Sequence, residues 1–120
     1  MKSYQTFIFI FLFNQIKSLI MDITVEELKQ KLDNKDNFIF IDVREPFEYA
    51  EFNLGAKLIP LSEVMARINE LESYKNEEIV IHCRSGKRSA TAQSWLQQNG
   101  FKNVRNLEGG VLAWIGAFNI

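Results

Sequence analysis

The chain contains one cysteine, Cys83, which stands in the run Ile79-Val80-Ile81-His82-Cys83-Arg84-Ser85-Gly86-Lys87-Arg88-Ser89-Ala90. The apolar residues before it read as a buried strand, the basic stretch after it as a loop, and Ser89 as the approach to a helix. Amides of a loop that enters a helix N-terminus converge on an anion, and the aligned peptide dipoles add roughly half a positive charge there. Arg84, Lys87 and Arg88 bring full charges to the same place. A free thiol ionises with a pKa of about 8.5, and surroundings of this kind lower it to roughly 3.5–7.5. The expected chemistry is that of a thiolate nucleophile, not of a structural core cysteine. His82 invites a Cys–His dyad, but adjacent strand residues point to opposite faces. His82 is therefore expected to be packed away from the thiol, leaving the loop to ionise Cys83.

Spacing narrows that chemistry. Four residues separate Cys83 from Arg88. Cysteine-dependent phosphatases carry a similar His-Cys…Arg-Ser/Thr signature with one residue more, and their loop wraps a tetrahedral phosphoryl group held on the sulfur. The shorter loop makes a smaller cradle, with room for a smaller terminal group such as a single sulfane sulfur. Its candidate binding residues are Arg84, Ser85, Gly86, Lys87, Arg88 and Ser89, with Gly86 expected to take a positive φ in the tight turn. Arg88 at a helix start is opposed by the dipole unless it serves the loop or pairs with a carboxylate. Asp42 is the expected partner. Arg44 is a supporting candidate, placed either to reach an anionic substrate or to be held by Glu45 or Glu48.

The elements that must position these groups alternate along the chain. Thr24-Val25-Glu26-Glu27 reads as a capping box opening a helix to about Lys31. Phe38–Ile41 and Glu78–His82 are apolar without alternation, as in strands buried on both faces of a parallel sheet. Pro46 suits the first turn of a short helix through Glu51. Lys57–Ile59 reads as a strand, and Ser62 as the cap of a helix with Val64, Ile68 and Leu71 on one face. Ser89–Asn99 forms a helix closed by Gly100, Val104–Leu107 a strand, and Val111–Phe118 a last helix with Trp114 and Phe118 in the core. Such alternation implies an α/β domain with a mainly parallel sheet covered on both faces. Ligands of these sheets bind at the carboxyl ends of the strands. Asp42-Val43-Arg44, Cys83 and Asn106–Gly110 occupy three such ends and are expected to meet at one pocket, Gly109-Gly110 allowing a backbone to come close to the cysteine loop.

Cys-Arg-Ser-Gly-Lys-Arg-Ser resembles the active-site loop of single-domain rhodanese-like sulfurtransferases. Further stretches agree with that family in order. These are Phe38 to Tyr49 with its D-V-R-E, Gly55-Ala56-Lys57-Leu58-Ile59-Pro60-Leu61, and Gly100-Phe101 through Asn106-Leu107-Glu108-Gly109-Gly110-Val111-Leu112-Ala113-Trp114. The resemblance runs from about Ile23 to Phe118. It departs at Glu51-Phe52-Asn53-Leu54-Gly55, a shorter turn without the family's histidine and proline. It implies a rhodanese-like three-layer fold with a central sheet of about five strands. It also implies that a Cys83 persulfide passes a sulfane sulfur from thiosulfate or a persulfide donor to a thiol or protein acceptor. No cofactor or metal and a monomer would be expected. One alternative is a persulfide carrier in a sulfur relay with little turnover of thiosulfate; another is a cysteine phosphatase or arsenate reductase.

Composition bounds the rest. The 120 residues suit one domain, and 47% apolar with 24% charged content is that of an ordinary soluble globule. A formal net charge of −1 argues against nucleic acid or a membrane surface as partner and leaves the positive charge local to the Cys83 loop. A single cysteine excludes an internal disulfide, and His82 as sole histidine argues against structural zinc. Residues 1–20 read as a hydrophobic extension ahead of a domain over 21–120. Their apolar run Phe7–Phe13 is shorter than the roughly 20 residues of a spanning helix. Three readings stand: translation starts at Met21 and the domain is cytoplasmic, the extension is a signal or anchor that exports it or ties it to a membrane, or it is a structural element docked on the domain.

Overall fold

The computed structural model describes residues 22–118 and, ahead of them, residues 5, 6, 8 and 9, which are helical. The expected roles of the 1–20 extension otherwise lie outside the described residues. Helix α1 (Val25–Asp33) starts where Thr24 accepts the Glu27 amide at 3.2 Å. Glu27 does not turn back to complete a capping box, because its carboxylate holds Arg105 at 2.6 and 2.8 Å. Strand β1 (Ile39–Asp42) follows, then α2 (Pro46–Glu51) with proline in its first turn, and β2 (Lys57–Leu58). After β3 (Ile79–His82) come α3 (Lys87–Gln98), β4 (Val104–Asn106) and α4 (Gly110–Phe118).

The sheet is wholly parallel, in the order β2-β1-β3-β4. Among the described residues it has four strands, where about five were expected. Ile23 adds a single parallel bridge to Leu107 and goes no further, since Thr24 already caps α1. The order places the switch in connectivity between β1 and β3: the chain leaves β1 for one edge and β3 for the other. At such a point the loops diverge and open a crevice at the carboxyl ends. Register aligns those ends, with Asp42 beside His82 and Ile81 beside Asn106.

Alternation along β3 divides the core into two layers. Ile79, Ile81 and Cys83 join Leu71, Ala92, Leu96 and Phe101 on the face covered by α3 and the segment after β2. Val80 joins Ile23, Leu28, Leu107 and Trp114 on the face covered by α1 and α4. Trp114 packs edge-on to Phe118, 4.7 Å between centroids, as core and not as a binding platform. Both layers are apolar, and burying each large side chain contributes about 1.5–3 kcal/mol.

The segment after β2 departs from expectation. In place of an α-helix capped by Ser62, two 3-10 stretches run over Leu61–Glu63 and Ile68–Tyr74, neither with a side-chain cap. Their bonds close over three residues, as from the Val64 amide to the Leu61 carbonyl. Val64 and Leu71 are nonetheless buried and Ile68 packs beside them, because spacings of three and four serve either helix type. Among the described residues no helix is long and apolar enough to cross a membrane.

Candidate active site

Cys83 follows β3 directly and is 1% exposed, its sulfur turned into the loop that leads to α3. The Gly86 amide donates to Sγ at 3.1 Å, the Ser89 amide at 3.4 Å and the Ser89 hydroxyl at 3.3 Å. Burial opposes ionisation and is the largest single influence on this thiol. The Ser89 hydroxyl and the amides of Ser89, Gly86 and Ser85 together outweigh it and hold Cys83 below its ordinary value. Hydrogen bonds from the loop, which the sequence reading named ahead of the flanking cations, are what lower it. The loop closes because Gly86, with φ +101°, reverses the chain just before α3. The helix therefore begins at Lys87, two residues ahead of Ser89, and its N-terminus faces the sulfur.

Two further elements brace the loop. Asn106, at the end of β4, accepts the Ser89 hydroxyl at 2.6 Å and donates from Nδ2 to the Gly86 carbonyl at 3.1 Å. From α4, the amides of Val111 and Leu112 donate to the carbonyls of Cys83 and Arg84, each at 3.0 Å. Gly110 makes this approach possible: a Cβ there would lie 2.5 Å from the Cys83 carbonyl oxygen and 2.6 Å from that of Arg84. The three strand ends thus converge as the fold rule requires.

Charged residues are distributed differently from the expectation. Arg88 pairs with Glu48, at 2.7 and 2.9 Å, and not with Asp42. Asp42 is fully buried and taken by Arg44, whose Nε lies 3.1 and 3.0 Å from its two oxygens and Nη2 2.8 Å from Oδ2. Arg44 also donates to the carbonyls of Phe52 at 2.7 Å and Glu48 at 3.4 Å, fixing the end of α2. With its donors so occupied, Arg44 forms part of the wall of the cleft beside Arg84. Glu48 is in turn oriented by the Glu45 amide at 2.9 Å. The Arg88 guanidinium beside it, helped by that amide, holds the Glu48 carboxyl down to about 2 against the cost of burial. Arg84, Ser85 and Lys87 are exposed, and neither the Arg84 nor the Lys87 side chain forms a hydrogen bond or ion pair among the described residues.

His82 lies on the opposite side of β3 from the sulfur, fully buried against Phe40 with 5.3 Å between ring centroids. Its Nε2 stands 3.5 Å from Asp42 Oδ2 and makes no hydrogen bond. Burial keeps it below its ordinary pKa even though Asp42 pulls the other way. It is a neutral packing residue. Sequence reasoning brought Asn106 to the pocket without giving its side chain a role, and it missed the pairing role of Glu48. A buried asparagine at a strand's carboxyl end signals the first; nothing local signals the second, which spans 40 positions.

Residues 24–117 match the model of the rhodanese-like domain family. The chain belongs to that family. It is 42% identical over 100 residues to a protein of Bacillus subtilis named putative sulfur carrier protein YrkF, an alignment covering 82% of this chain and 53% of that one. This chain therefore spans about half the length of that relative. Identity is 35% over 97 residues to a sulfurtransferase of Allochromatium vinosum, covering 80% and 89%. The crystal structure of a rhodanese-like domain protein from Staphylococcus aureus superposes with a TM-score of 0.70 at 38% identity, covering 78% and 89%. The rhodanese-like fold and the parallel sheet are thus established, with Cys83 as the sole cysteine of the domain.

Proposed function

We propose that this rhodanese-like chain is a sulfurtransferase that carries a sulfane sulfur as a persulfide on Cys83. The observation that carries the reading is the convergence of the Gly86 and Ser89 amides and the Ser89 hydroxyl on one sulfur. Donors so arranged favour the thiolate, and they favour equally the terminal sulfur anion that replaces it in the persulfide. The thiolate attacks the outer sulfur of the donor, the donor's S–S bond breaks, and the electron pair leaves on sulfite or on a thiolate. The amides from Arg84 to Ser89 then cradle the Cys83 persulfide until an acceptor thiolate takes its outer sulfur and frees Cys83. Arg84, Lys87 and Arg88 supply positive charge around this exchange, while Asp42 and Arg44 support the wall.

Covalent transfer of this kind gives ping-pong kinetics. Steady-state rates measured over a grid of thiosulfate and cyanide concentrations are expected to give parallel double-reciprocal lines. Intersecting lines would refute a free persulfide intermediate. A second reading, a persulfide carrier that turns over thiosulfate slowly, is favoured by the name of the Bacillus subtilis relative. Fast transfer to a protein acceptor beside slow thiosulfate turnover would select it.

A further inference from the structure

The loop carries three cations, but one of them is already spent. Arg88 gives both of its terminal nitrogens to Glu48, in a pair at 2.7 and 2.9 Å whose carboxylate side chain is only 14% exposed. Glu48 is held from behind by the Glu45 amide and stays ionised at every working pH. Arg84 and Lys87 remain as unpaired cations at the loop.

We propose that Glu48 is a specificity-determining residue that turns the site away from dianionic sulfur donors and toward organic persulfides, and this rests on the sulfur-transfer reading above. The charge balance of the two reactions makes the difference. Thiosulfate brings two negative charges to the Cys83 thiolate, and persulfide anion plus sulfite leave with all three. An organic persulfide anion brings one, and its transfer leaves a Cys83 persulfide anion and a thiolate, so two negative charges are present throughout. Two unpaired cations suit the second set of charges and leave the first undercompensated, because like charges brought together in a partly dry site repel strongly. A cleft of about 280 Å³ beside Arg84 agrees with this choice. Phe47, Phe52, Leu112 and Ile115 line it, offering contact to a carbon body that thiosulfate lacks.

The test is the rate at which Cys83 gains one sulfur, followed by intact mass, with thiosulfate and with cysteine persulfide as donors. Glu48→Gln frees the Arg88 fork and is expected to raise the thiosulfate rate relative to the persulfide rate about tenfold, the low end of what one charge-assisted hydrogen bond contributes. In Glu48→Gln/Arg88→Gln that relative gain is expected to vanish. An unmoved ratio in Glu48→Gln, or a gain that survives in the double variant, overturns the proposal. Binding gives an independent reading: inorganic sulfate is expected to protect Cys83 from iodoacetamide at about tenfold lower concentration in Glu48→Gln than in the native chain, and equal protection would overturn it too. Failure of both donors to load Cys83 in any of these proteins refutes the sulfur-transfer reading itself. Loading by both donors with an unmoved ratio refutes only the role of Glu48.

Discussion

Replacing Ser89 by alanine isolates the hydrogen bond that most favours the Cys83 thiolate. The hydroxyl lies 3.3 Å from Sγ and 2.6 Å from Asn106 Oδ1, and its one proton serves one acceptor at a time. A hydrogen bond to a charged group contributes about 1.5–3 kcal/mol, and the neutral bond to Asn106 given up for it about 0.5–1.5 kcal/mol. The net preference for the thiolate is thus about 1–1.5 kcal/mol, close to tenfold in the ionisation equilibrium. Removal shifts the thiol's ionisation upward, while the remaining amides from Gly86 and Ser89 still favour the anion. Ser89→Ala is accordingly expected to be alkylated by iodoacetamide about tenfold more slowly at pH values below both midpoints, and at the native rate above both. Initial rates measured by intact mass across pH, with Cys83→Ser as the blank, check this. An unshifted profile, or one displaced to lower pH, would show that the hydroxyl does not stabilise the thiolate and refute the reasoning.

Other consequences follow from the same geometry. Asp42→Asn leaves the buried Arg44 guanidinium without its anion and is expected to cost about 3–5 kcal/mol, read as a fall in the urea midpoint. Gly110→Ala drives a methyl into two carbonyl oxygens at a φ of +57°, so a loss of about 2–3 kcal/mol and a sharp fall in thiol alkylation are expected, by thermal unfolding and by mass. Glu48 has its pKa lowered in the folded chain from an ordinary 4.5 to about 2, so its stabilising contribution is fully present above 4.5 and is lost as pH falls through 2. Acid titrations followed by circular dichroism should therefore show a shallower loss of stability between those values in Glu48→Gln than in the native chain.

The parts of this molecule that are legible in its sequence are those fixed by local chemistry. The strand before Cys83, the glycine at Gly86, the threonine ahead of α1 and the proline opening α2 each act within a few residues, and each stands where its chemistry requires. The 3-10 path through Leu61–Glu63 and Ile68–Tyr74 was not legible, since Val64, Ile68 and Leu71 present an apolar face to either helix type. Charge pairing failed for a different reason. Asp42 reaches Arg44 two residues away because its Oδ1 also accepts the Arg44 amide at 2.9 Å in a local turn, which removes it from Arg88. The carboxylate left for Arg88 comes from a helix that only the folded sheet brings near. The support of the loop by Asn106 is likewise a product of strand register, in which β4 ends level with Ile81, two residues before Cys83.

The central claim is that Cys83 carries the transferred sulfur. Intact mass of the protein after brief exposure to cysteine persulfide or thiosulfate tests it most directly, with Cys83→Ser alongside. The account predicts a gain of one sulfur atom that disappears on addition of cyanide and never forms in the variant. A native chain that stays at its unmodified mass with both donors, or a Cys83→Ser chain that gains the same sulfur, would contradict it.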